Sequence, residues 1–326
     1  MKAVQVSRFG EPGVLVPADL PDPTPGPGRL AIDVTHAAVG LIDVYIRQGL
    51  FRDAAGLPQP PYVPGLEVAG TVRALGEGVT GFAVGEQVVA LPAGGTGGYA
   101  SVYISDQART VSTEGHDIDP ALAVAVVPNA IMAHAALTGA IRMSAGDSVL
   151  VHGALGAFAA AFPGIARQLG ASRVVGTVRT ERMGAASATR LPYDTVVDSA
   201  LLPDALDGEK FDIIVDPVGG LVRTQSLDLL APSGRLLLVG NASGDWDHRI
   251  DSNRIWQSNA TVTGFNAGAY MPAHPEAVRP AAEAALKAVA DGLAGTEIEI
   301  HSLADAATAH ERLESHAANG RIVLTP

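Results

Sequence analysis

Residues 149–159, VLVHGALGAFA, are the stretch of the chain that decides the fold. An apolar run predicts a buried strand over residues 148–151. A turn of small residues comes next, and the pattern after it predicts a helix over residues 156–169. A strand, a tight turn and a helix in this order leave backbone N–H groups unpaired where the helix begins, and a pyrophosphate can bind there.

The glycines of this turn match only part of the dinucleotide-binding motif G-x-G-x-x-G. Gly153 and Gly156 are present, but Ala157 and Ala159 stand where glycines are usual. Pro163 falls inside the predicted helix, where a proline removes a hydrogen bond or bends the axis. Taken alone, the turn is equally compatible with a βα connection that binds no ligand.

A second predicted strand, residues 173–178, follows at the distance expected of a βαβ unit and favours a cofactor site. NAD-binding proteins usually carry a carboxylate at the end of this strand. Here Thr177 is followed by Arg179 and Arg182, and two guanidinium groups with a hydroxyl suit a 2′-phosphate. We expect Glu181, the only acid nearby, to point away. These residues favour NADPH, and the alternative is a pair of solvated arginines.

Strand and helix patterns alternate after residue 119 and predict a doubly wound parallel sheet of the α/β class. An Ala-rich stretch, residues 119–141, comes first and predicts two helices broken near Pro128. Later strands are predicted at residues 213–215, 235–239 and 261–265. Ligands of such sheets bind where the strands end. The candidates at those ends are Asp216, which alternatively caps the next helix, Gly240, Asn241, Phe265 and Asn266.

The first part of the chain predicts a partly open β-barrel, because short strands alternate there with turn signals. Strands are predicted at residues 3–6, 30–34, 68–75, 87–91 and 99–104, a helix at 42–47, and turns at 23–28 and 94–98. Near the end, a helix at 275–294 precedes a strand at 321–324 that we expect to return to the barrel. The predicted domains are therefore residues 1–118 with 266–326, and residues 119–265.

The composition of the 326 residues limits the possible partners and bonds. A hydrophobic fraction of 47% supplies a large core, and a formal net charge of −12 makes nucleic acid a poor partner. The chain has no cysteine, so disulfides, thiolate metal sites and a catalytic thiol are excluded. No signal peptide or uninterrupted apolar run of membrane-spanning length is evident. We expect a cytoplasmic protein with no membrane partner.

Several motifs, in order along nearly the whole chain, resemble the quinone oxidoreductase branch of the medium-chain dehydrogenase/reductase superfamily. They are residues 37–49, AAVGLIDVYIRQG; 64–72, PGLEVAGTV; 82–88, FAVGEQV; 211–220, FDIIVDPVGG; 231–240, APSGRLLLVG; and 320–324, GRIVL. The resemblance implies a GroES-like catalytic domain and a Rossmann cofactor domain. It further implies NADPH, hydride transfer to a quinone or an enone, and a homodimer.

The resemblance also locates departures from the family pattern. Leu66 stands where zinc-dependent relatives have a ligand histidine, which predicts no metal site. Gly40 replaces an asparagine near the nicotinamide, Met132 replaces a threonine, and Met183 replaces the usual lysine for the 2′-phosphate. Cofactor binding is predicted for Asn129, Met132, Gly153, Ala154, Leu155, Gly156, Ala157, Phe158, Thr177, Arg179, Arg182, Asp216, Gly240, Asn241, Phe265, Asn266 and Arg321.

Tyr45 is the candidate proton donor, because a tyrosine hydroxyl can donate without being ionised. The alternative is a packed aromatic residue whose hydroxyl bonds the backbone. Asp43 either orients the site together with Gly40 or caps a helix, and Arg47 is placed to pair with it at the i, i+4 spacing. His152 is expected to pack under the cofactor turn. The altered turn leaves two other classes open. One is a non-redox lyase, cyclase or isomerase, and the other is a non-catalytic NADPH-binding protein.

Overall fold

The computed structural model describes residues 1–91 and 96–326, which form two compact units. Unit 1 is Met1–Pro128 with Thr296–Pro326, and unit 2 is Asn129–Gly295. These limits differ from the domain bounds expected above, at residues 118/119 and 265/266, and those functional domain bounds stay a prediction. Part of the turn predicted at residues 94–98 lies outside the described residues.

The described residues form strands and helices that alternate along the chain. The strands are β1 (Lys2–Val6), β2 (Leu15–Asp19), β3 (Arg29–Ala38), β4 (Glu67–Leu75), β5 (Gln87–Ala90), β6 (Val102–Asp106), β7 (Thr110–Ser112), β8 (Ser148–Val151), β9 (Arg173–Val178), β10 (Thr195–Asp198), β11 (Phe211–Asp216), β12 (Leu230–Leu238), β13 (Thr261–Gly264), β14 (Ile298–Ser302) and β15 (Arg321–Thr325). The α-helices are α1 (Leu41–Gln48), α2 (Pro120–Ala135), α3 (Phe162–Gln168), α4 (Met183–Ala188), α5 (Leu221–Leu229), α6 (Ser252–Gln257), α7 (Ala267–Ala273), α8 (Val278–Ala290) and α9 (Ala306–Glu314).

Unit 2 contains a six-stranded sheet in the order β10-β9-β8-β11-β12-β13. Every pairing in it is parallel, and the order reverses between β8 and β11. This is the strand order of a dinucleotide-binding fold, in which ligands bind outside the carboxyl ends of the strands. The prediction of a doubly wound α/β sheet is confirmed. Leu150, Val175, Ile214 and Leu236 are fully buried in its core.

Unit 1 is built around a second sheet, in the order β14-β15-β3-β4-β5-β7, with β6 also paired to β3. β15 pairs antiparallel with β3, so the prediction that the last strand returns to the N-terminal sheet is confirmed. The core packs Leu30, Ile32, Val68 and Leu324 together with Tyr99. The sequence patterns missed β2, β7 and β14, three short strands.

The apolar helix α2 runs without a break through Pro128, and residues 136–140 extend it as a π-helix. The prediction of two helices broken near Pro128 is therefore wrong. Every residue from 123 to 133 is buried, and burial of this surface outweighs the roughly 3 kcal/mol that a proline costs inside a helix. The stretch Pro120–Ala140 is long and apolar enough to cross a membrane, but 83% of its 18-residue apolar window is buried inside the protein, as in a core helix.

Helix α8 packs against α3 in unit 2, within the helix predicted at residues 275–294. The segment that follows α8 approaches α3 closely at Gly164, where a Cβ would lie 2.2 Å from the carbonyl oxygen of Leu293. A glycine in α3 is what permits this approach. The chain therefore stays with unit 2 up to Gly295.

Candidate active site

The turn after β8 remains non-helical through Phe158, and the prediction of a helix beginning at residue 156 is wrong. A short 3-10 segment, Ala159–Ala161, comes first, and α3 begins only at Phe162. Pro163 consequently lies in the first turn of α3, where no hydrogen bond is lost, so the predicted kink is absent too. The ring of Phe158 packs against Phe162, with 5.1 Å between centroids.

This longer turn presents unpaired backbone donors. Within the described part of the chain, the amides of Gly153, Leu155, Ala157 and Phe158 donate no hydrogen bond. Gly153 has φ +61°, a left-handed conformation that glycine adopts readily. Free backbone amides in a turn can together bind an anion. The turn therefore suits a pyrophosphate through its own amides, rather than through a helix terminus as expected from the sequence.

Buried contacts hold the turn in place. Asn129 is 3% exposed, and its Nδ2 donates to the carbonyl oxygen of Ala157 at 3.1 Å. The amide of Ala154 donates to the Thr177 carbonyl oxygen at 2.9 Å, and the Ala154 carbonyl accepts from the hydroxyl of Tyr193 at 3.0 Å. Asn129 and Ala154 are both predicted to bind the cofactor. In the structure, the side-chain amide of Asn129 and the backbone groups of Ala154 hold the turn in place instead.

The end of β9 carries two of the predicted arginines, and Arg179 is 55% exposed. Its guanidinium forms an ion pair with Glu181 at 3.1 Å, so the expectation that Glu181 points away is wrong. The prediction that the Thr177 hydroxyl contacts a 2′-phosphate is also wrong. Thr177 is 1% exposed, and its hydroxyl is hydrogen-bonded to His152. Arg179 and Arg182 remain the basic side chains just past this strand.

The carboxyl ends of β11 and β12 are joined by Arg223, a residue that the sequence reasoning missed. Asp216 is fully buried; its Oδ1 accepts from the amides of Val218 and Gly219, both at 2.8 Å, and its Oδ2 accepts from Arg223 Nε at 2.8 Å. Arg223 also donates to the carbonyl oxygen of Gly240 at 2.8 Å. Asp216 therefore shapes the turn and binds α5 through Arg223, and it is not the helix N-cap, which is residue 220.

The side chains of three further residues of unit 2 that are predicted to bind the cofactor pack in the interior or cap a helix. Phe265 is 5% exposed, and its ring lies 5.0 Å from that of Tyr270. Asn266 caps α7, because its Oδ1 accepts from the amide of Gly268 at 3.0 Å. Met132 is 9% exposed in α2. The Phe265 amide already donates to the Leu238 carbonyl oxygen, and the Asn266 carbonyl oxygen already accepts from the amide of Tyr270. The Phe265 carbonyl and the Asn266 amide are left as candidate groups of these two residues.

In unit 1, the three predicted catalytic residues lie at the start of α1. Gly40 is the N-cap residue, and its amide donates to Oδ2 of Asp43 at 2.8 Å, so Asp43 stabilises the helix start from inside the first turn. Tyr45 is half-buried, with its ring edge-on to Phe51 at 6.3 Å. Burial raises the pKa of Tyr45, which keeps its hydroxyl protonated at neutral pH.

Asp43 also belongs to a buried polar network of side chains, together with Tyr99 and His310. The Tyr99 hydroxyl lies 3.3 Å from Asp43 Oδ2 and 3.1 Å from His310 Nε2 on α9. Burial raises the pKa of Asp43 to about 7, with Glu67 adding to the effect, while the Gly40 amide opposes it. Burial also lowers the pKa of His310 to about 3. Below neutral pH, Asp43 in this polar network therefore becomes protonated, while His310 stays neutral down to much lower pH.

Two ion pairs, one partly and one fully buried, flank this polar network. Arg47 is fully buried and pairs with Glu314 on α9, so the predicted surface pair with Asp43 is wrong. Arg321, predicted to bind the cofactor, pairs instead with Glu67 across the sheet of unit 1, and both side chains are 7% exposed. Burial raises the pKa of Glu67, and Arg321 opposes that rise. The structure gives Arg321 a role inside the core of unit 1.

Comparison with known proteins agrees with this geometry over the whole chain. A family model described as "Alcohol dehydrogenase GroES-like domain" matches residues 26–115, and one described as "Zinc-binding dehydrogenase" matches residues 169–324. The quinone oxidoreductase of Pseudomonas aeruginosa is 31% identical over 339 residues, which cover 100% of this chain and 99% of that protein. The chain belongs to the quinone oxidoreductase branch of the medium-chain dehydrogenase/reductase superfamily.

Two further relatives broaden the comparison for this quinone oxidoreductase family member. A 2-haloacrylate reductase from a Burkholderia species is 28% identical over 333 residues, 99% of this chain and 98% of that protein. The structure of Escherichia coli quinone oxidoreductase complexed with NADPH superposes with a TM-score of 0.86 at 25% identity, and each chain is fully covered. The predicted GroES-like and Rossmann architecture is confirmed.

The second family description mentions zinc, but the described residues of this chain do not supply a set of zinc ligands. The chain contains no cysteine, and no three His, Asp or Glu side chains come together within residues 1–91 and 96–326. The donor set for a tetrahedral zinc site is therefore lacking among the described residues.

Replacing Asp43 with asparagine should remove a loss of stability that the wild-type protein undergoes as pH rises. With its pKa raised to about 7, folded Asp43 holds a proton that the unfolded chain releases above pH ~4. The free energy of unfolding should thus fall as pH rises from about 4 to 7, by at most ~1.4 kcal/mol per pH unit, and then level off. Asparagine resembles the protonated acid, so the stability of Asp43→Asn relative to wild type should rise over that window.

Urea unfolding at several pH values measures this difference for Asp43→Asn. Asp247→Asn is the control, because the Asp247 side chain is fully exposed. A stability difference between Asp43→Asn and wild type that does not change between pH 5 and 8 would contradict the assignment of a protonated, buried Asp43.

Proposed function

We propose that this chain is a zinc-independent, NADPH-dependent reductase that transfers hydride to a quinone or to an activated C=C bond of a small molecule. The observation that carries the proposal is the turn after β8, which has unpaired amides and follows a strand paired with β9, the strand directly before Arg179. Relatives named as quinone oxidoreductases and as a 2-haloacrylate reductase support both substrate classes, since both are electrophiles that accept hydride.

The residues of unit 2 fit the cofactor. The free amides of the turn would hold the pyrophosphate, and Arg179 with Arg182 would hold the 2′-phosphate. The backbone groups of Gly240, Asn241, Phe265 and Asn266, at the carboxyl edge of the sheet, are proposed to contact the nicotinamide amide. Bound NADPH supplies the hydride.

Unit 1 is proposed to supply the groups that act on the substrate. Hydride addition to a quinone or an enone leaves negative charge on an oxygen, and a donor placed at that oxygen lowers the barrier. We assign this role to the Tyr45 hydroxyl. Asp43 positions the N-terminal turn of α1 through the Gly40 amide.

A titration of the purified protein with NADPH tests the proposal. Protein-enhanced NADPH fluorescence should saturate, and adding p-benzoquinone or methyl vinyl ketone should then consume NADPH. Binding without turnover on either electrophile would indicate a non-catalytic NADPH-binding protein. No binding at millimolar NADPH would overturn the proposal and favour a non-redox lyase, cyclase or isomerase.

Arg179→Ala should raise the KM for NADPH about tenfold and leave the KM for NADH unchanged, because only NADPH carries the phosphate that the guanidinium binds. Steady-state kinetics with both cofactors measures the ratio. Arg249→Ala is the matched control, since Arg249 is also exposed, at 76%, and lies in a loop of the same unit. Equal changes for NADPH and NADH would argue against a 2′-phosphate role.

The edge of the unit 2 sheet supports a proposed homodimer. β13 pairs with β12 on one side only among the described residues, so its other edge is open to pair with the same strand of a second copy. We also propose a cytoplasmic location, in keeping with a cysteine-free chain.

A further inference from the structure

We propose that His152 is a positioning residue for NADPH, acting through a buried brace formed by His152, Thr177 and Ser226. The inference rests on the proposed function. It assigns a role to three polar side chains that lie beneath the cofactor turn and cannot touch the cofactor themselves. The brace would keep the free amides of the turn in the geometry that binds a pyrophosphate.

The brace joins three elements of unit 2. His152 directly follows β8 and is 1% exposed. Its Nδ1 lies 3.0 Å from the hydroxyl of Thr177 on β9, and its Nε2 lies 3.0 Å from the hydroxyl of Ser226 on α5. Thr177 is 1% exposed and Ser226 is fully buried. One imidazole thereby fixes the spacing of two strand ends and a helix.

The hydrogen bonds of the brace determine its tautomer. The Ser226 hydroxyl donates to the carbonyl oxygen of Val222 at 2.8 Å, so it accepts from His152, which places the proton on Nε2. Nδ1 then accepts from the Thr177 hydroxyl. Burial lowers the pKa of His152 to about 4, against the opposing charge of Asp216, so the ring stays neutral. Every polar atom of the brace has a partner.

The brace is connected to the turn from two sides. The His152 amide donates to the carbonyl oxygen of Val215 at 3.0 Å. The next residue, Gly153, is the first residue of the turn with a free amide. Thr177 contributes twice, because its hydroxyl bonds the imidazole while its carbonyl oxygen accepts from the amide of Ala154. Any rotation of the Thr177 backbone or of the imidazole would therefore move Gly153 and Ala154, and the amides that follow with them.

Two near-isosteric variants test the brace. Thr177→Val and Ser226→Ala each remove one partner of the imidazole, and each should raise the Kd for NADPH about tenfold, as expected when a rigid donor array loosens. Thr110→Val is the matched control. Thr110 is a buried threonine of unit 1 whose hydroxyl makes two hydrogen bonds, so its loss should lower the melting temperature without changing the Kd.

A third variant, His152→Leu, removes both bonds, while His152→Gln retains a donor near the Nε2 position and should recover part of the affinity. Fluorescence titration of each folded variant, well below its melting temperature, gives the Kd. If wild-type protein binds NADPH, and Thr177→Val and Ser226→Ala bind it with the same Kd, the role of the brace is overturned and the proposed function stands. Wild-type protein that binds no NADPH would instead overturn the proposed function. If His152→Leu does not fold, the other two variants still decide.

Discussion

Replacing Tyr45 with phenylalanine should lower kcat about 100-fold while the Kd for NADPH stays unchanged. Positioned proton donors contribute rate factors on the order of 100 to 10,000, and phenylalanine keeps the ring while it removes the donor. The ring is half-buried and held edge-on by Phe51, so the substitution should leave the fold intact. The loss should therefore fall on the chemical step rather than on cofactor binding.

Single-turnover oxidation of bound NADPH by p-benzoquinone isolates that step for Tyr45→Phe. Tyr103→Phe is the matched control, because Tyr103 is a 4% exposed tyrosine of the same unit with no proposed contact to the substrate. An unchanged single-turnover rate in Tyr45→Phe would mean that the proton comes from another group. A raised Kd with an unchanged rate would assign Tyr45 to cofactor binding instead.

Replacing Glu67 with glutamine should destabilise the protein by about 3–5 kcal/mol, because it leaves the buried guanidinium of Arg321 without a counter-charge. Both side chains are 7% exposed, so water cannot compensate. The pair also joins β4 to β15, two strands far apart in sequence. The loss should appear as a lower urea midpoint for the transition of unit 1.

A double variant separates pairing from packing at this position. Glu67→Gln with Arg321→Met removes both charges and should recover most of the lost stability, since a buried ion pair is often replaceable by apolar side chains. Glu283→Gln, which breaks an exposed pair with Arg279 on α8, should leave the midpoint unchanged. A Glu67→Gln variant as stable as wild type would show that Arg321 finds another partner.

The sequence predicted the parts of the fold that local patterns determine. β8 and β9 have the bounds expected of them, because each is a short, mostly apolar and β-branched segment followed by polar or small residues. The strand β10 was missed, since its four residues are only half-buried and form no such run. The break at Pro128 was wrong because the cost of a proline is local, whereas the burial that outweighs it depends on the whole core.

The candidate site was predictable only where its residues are neighbours in sequence. The turn with Gly153 and the guanidinium group of Arg179 follow from one βαβ pattern. The ion pair of Arg47 with Glu314 spans 267 residues, and no local signal indicates it. The hydrogen bond between His152 and Ser226 spans 74 residues. Such contacts depend on how distant segments pack, which spacing along the chain does not encode.

The absence of thiols from this chain has a chemical consequence for an enzyme that handles electrophiles. Quinones and enones arylate or alkylate thiolates, the strongest nucleophiles that side chains offer. A chain with no cysteine has no such target, and the imidazoles of His152 and His310 are enclosed, at 1% and 0% exposure. The protein therefore offers no thiolate to the quinones and enones that the proposed reaction uses.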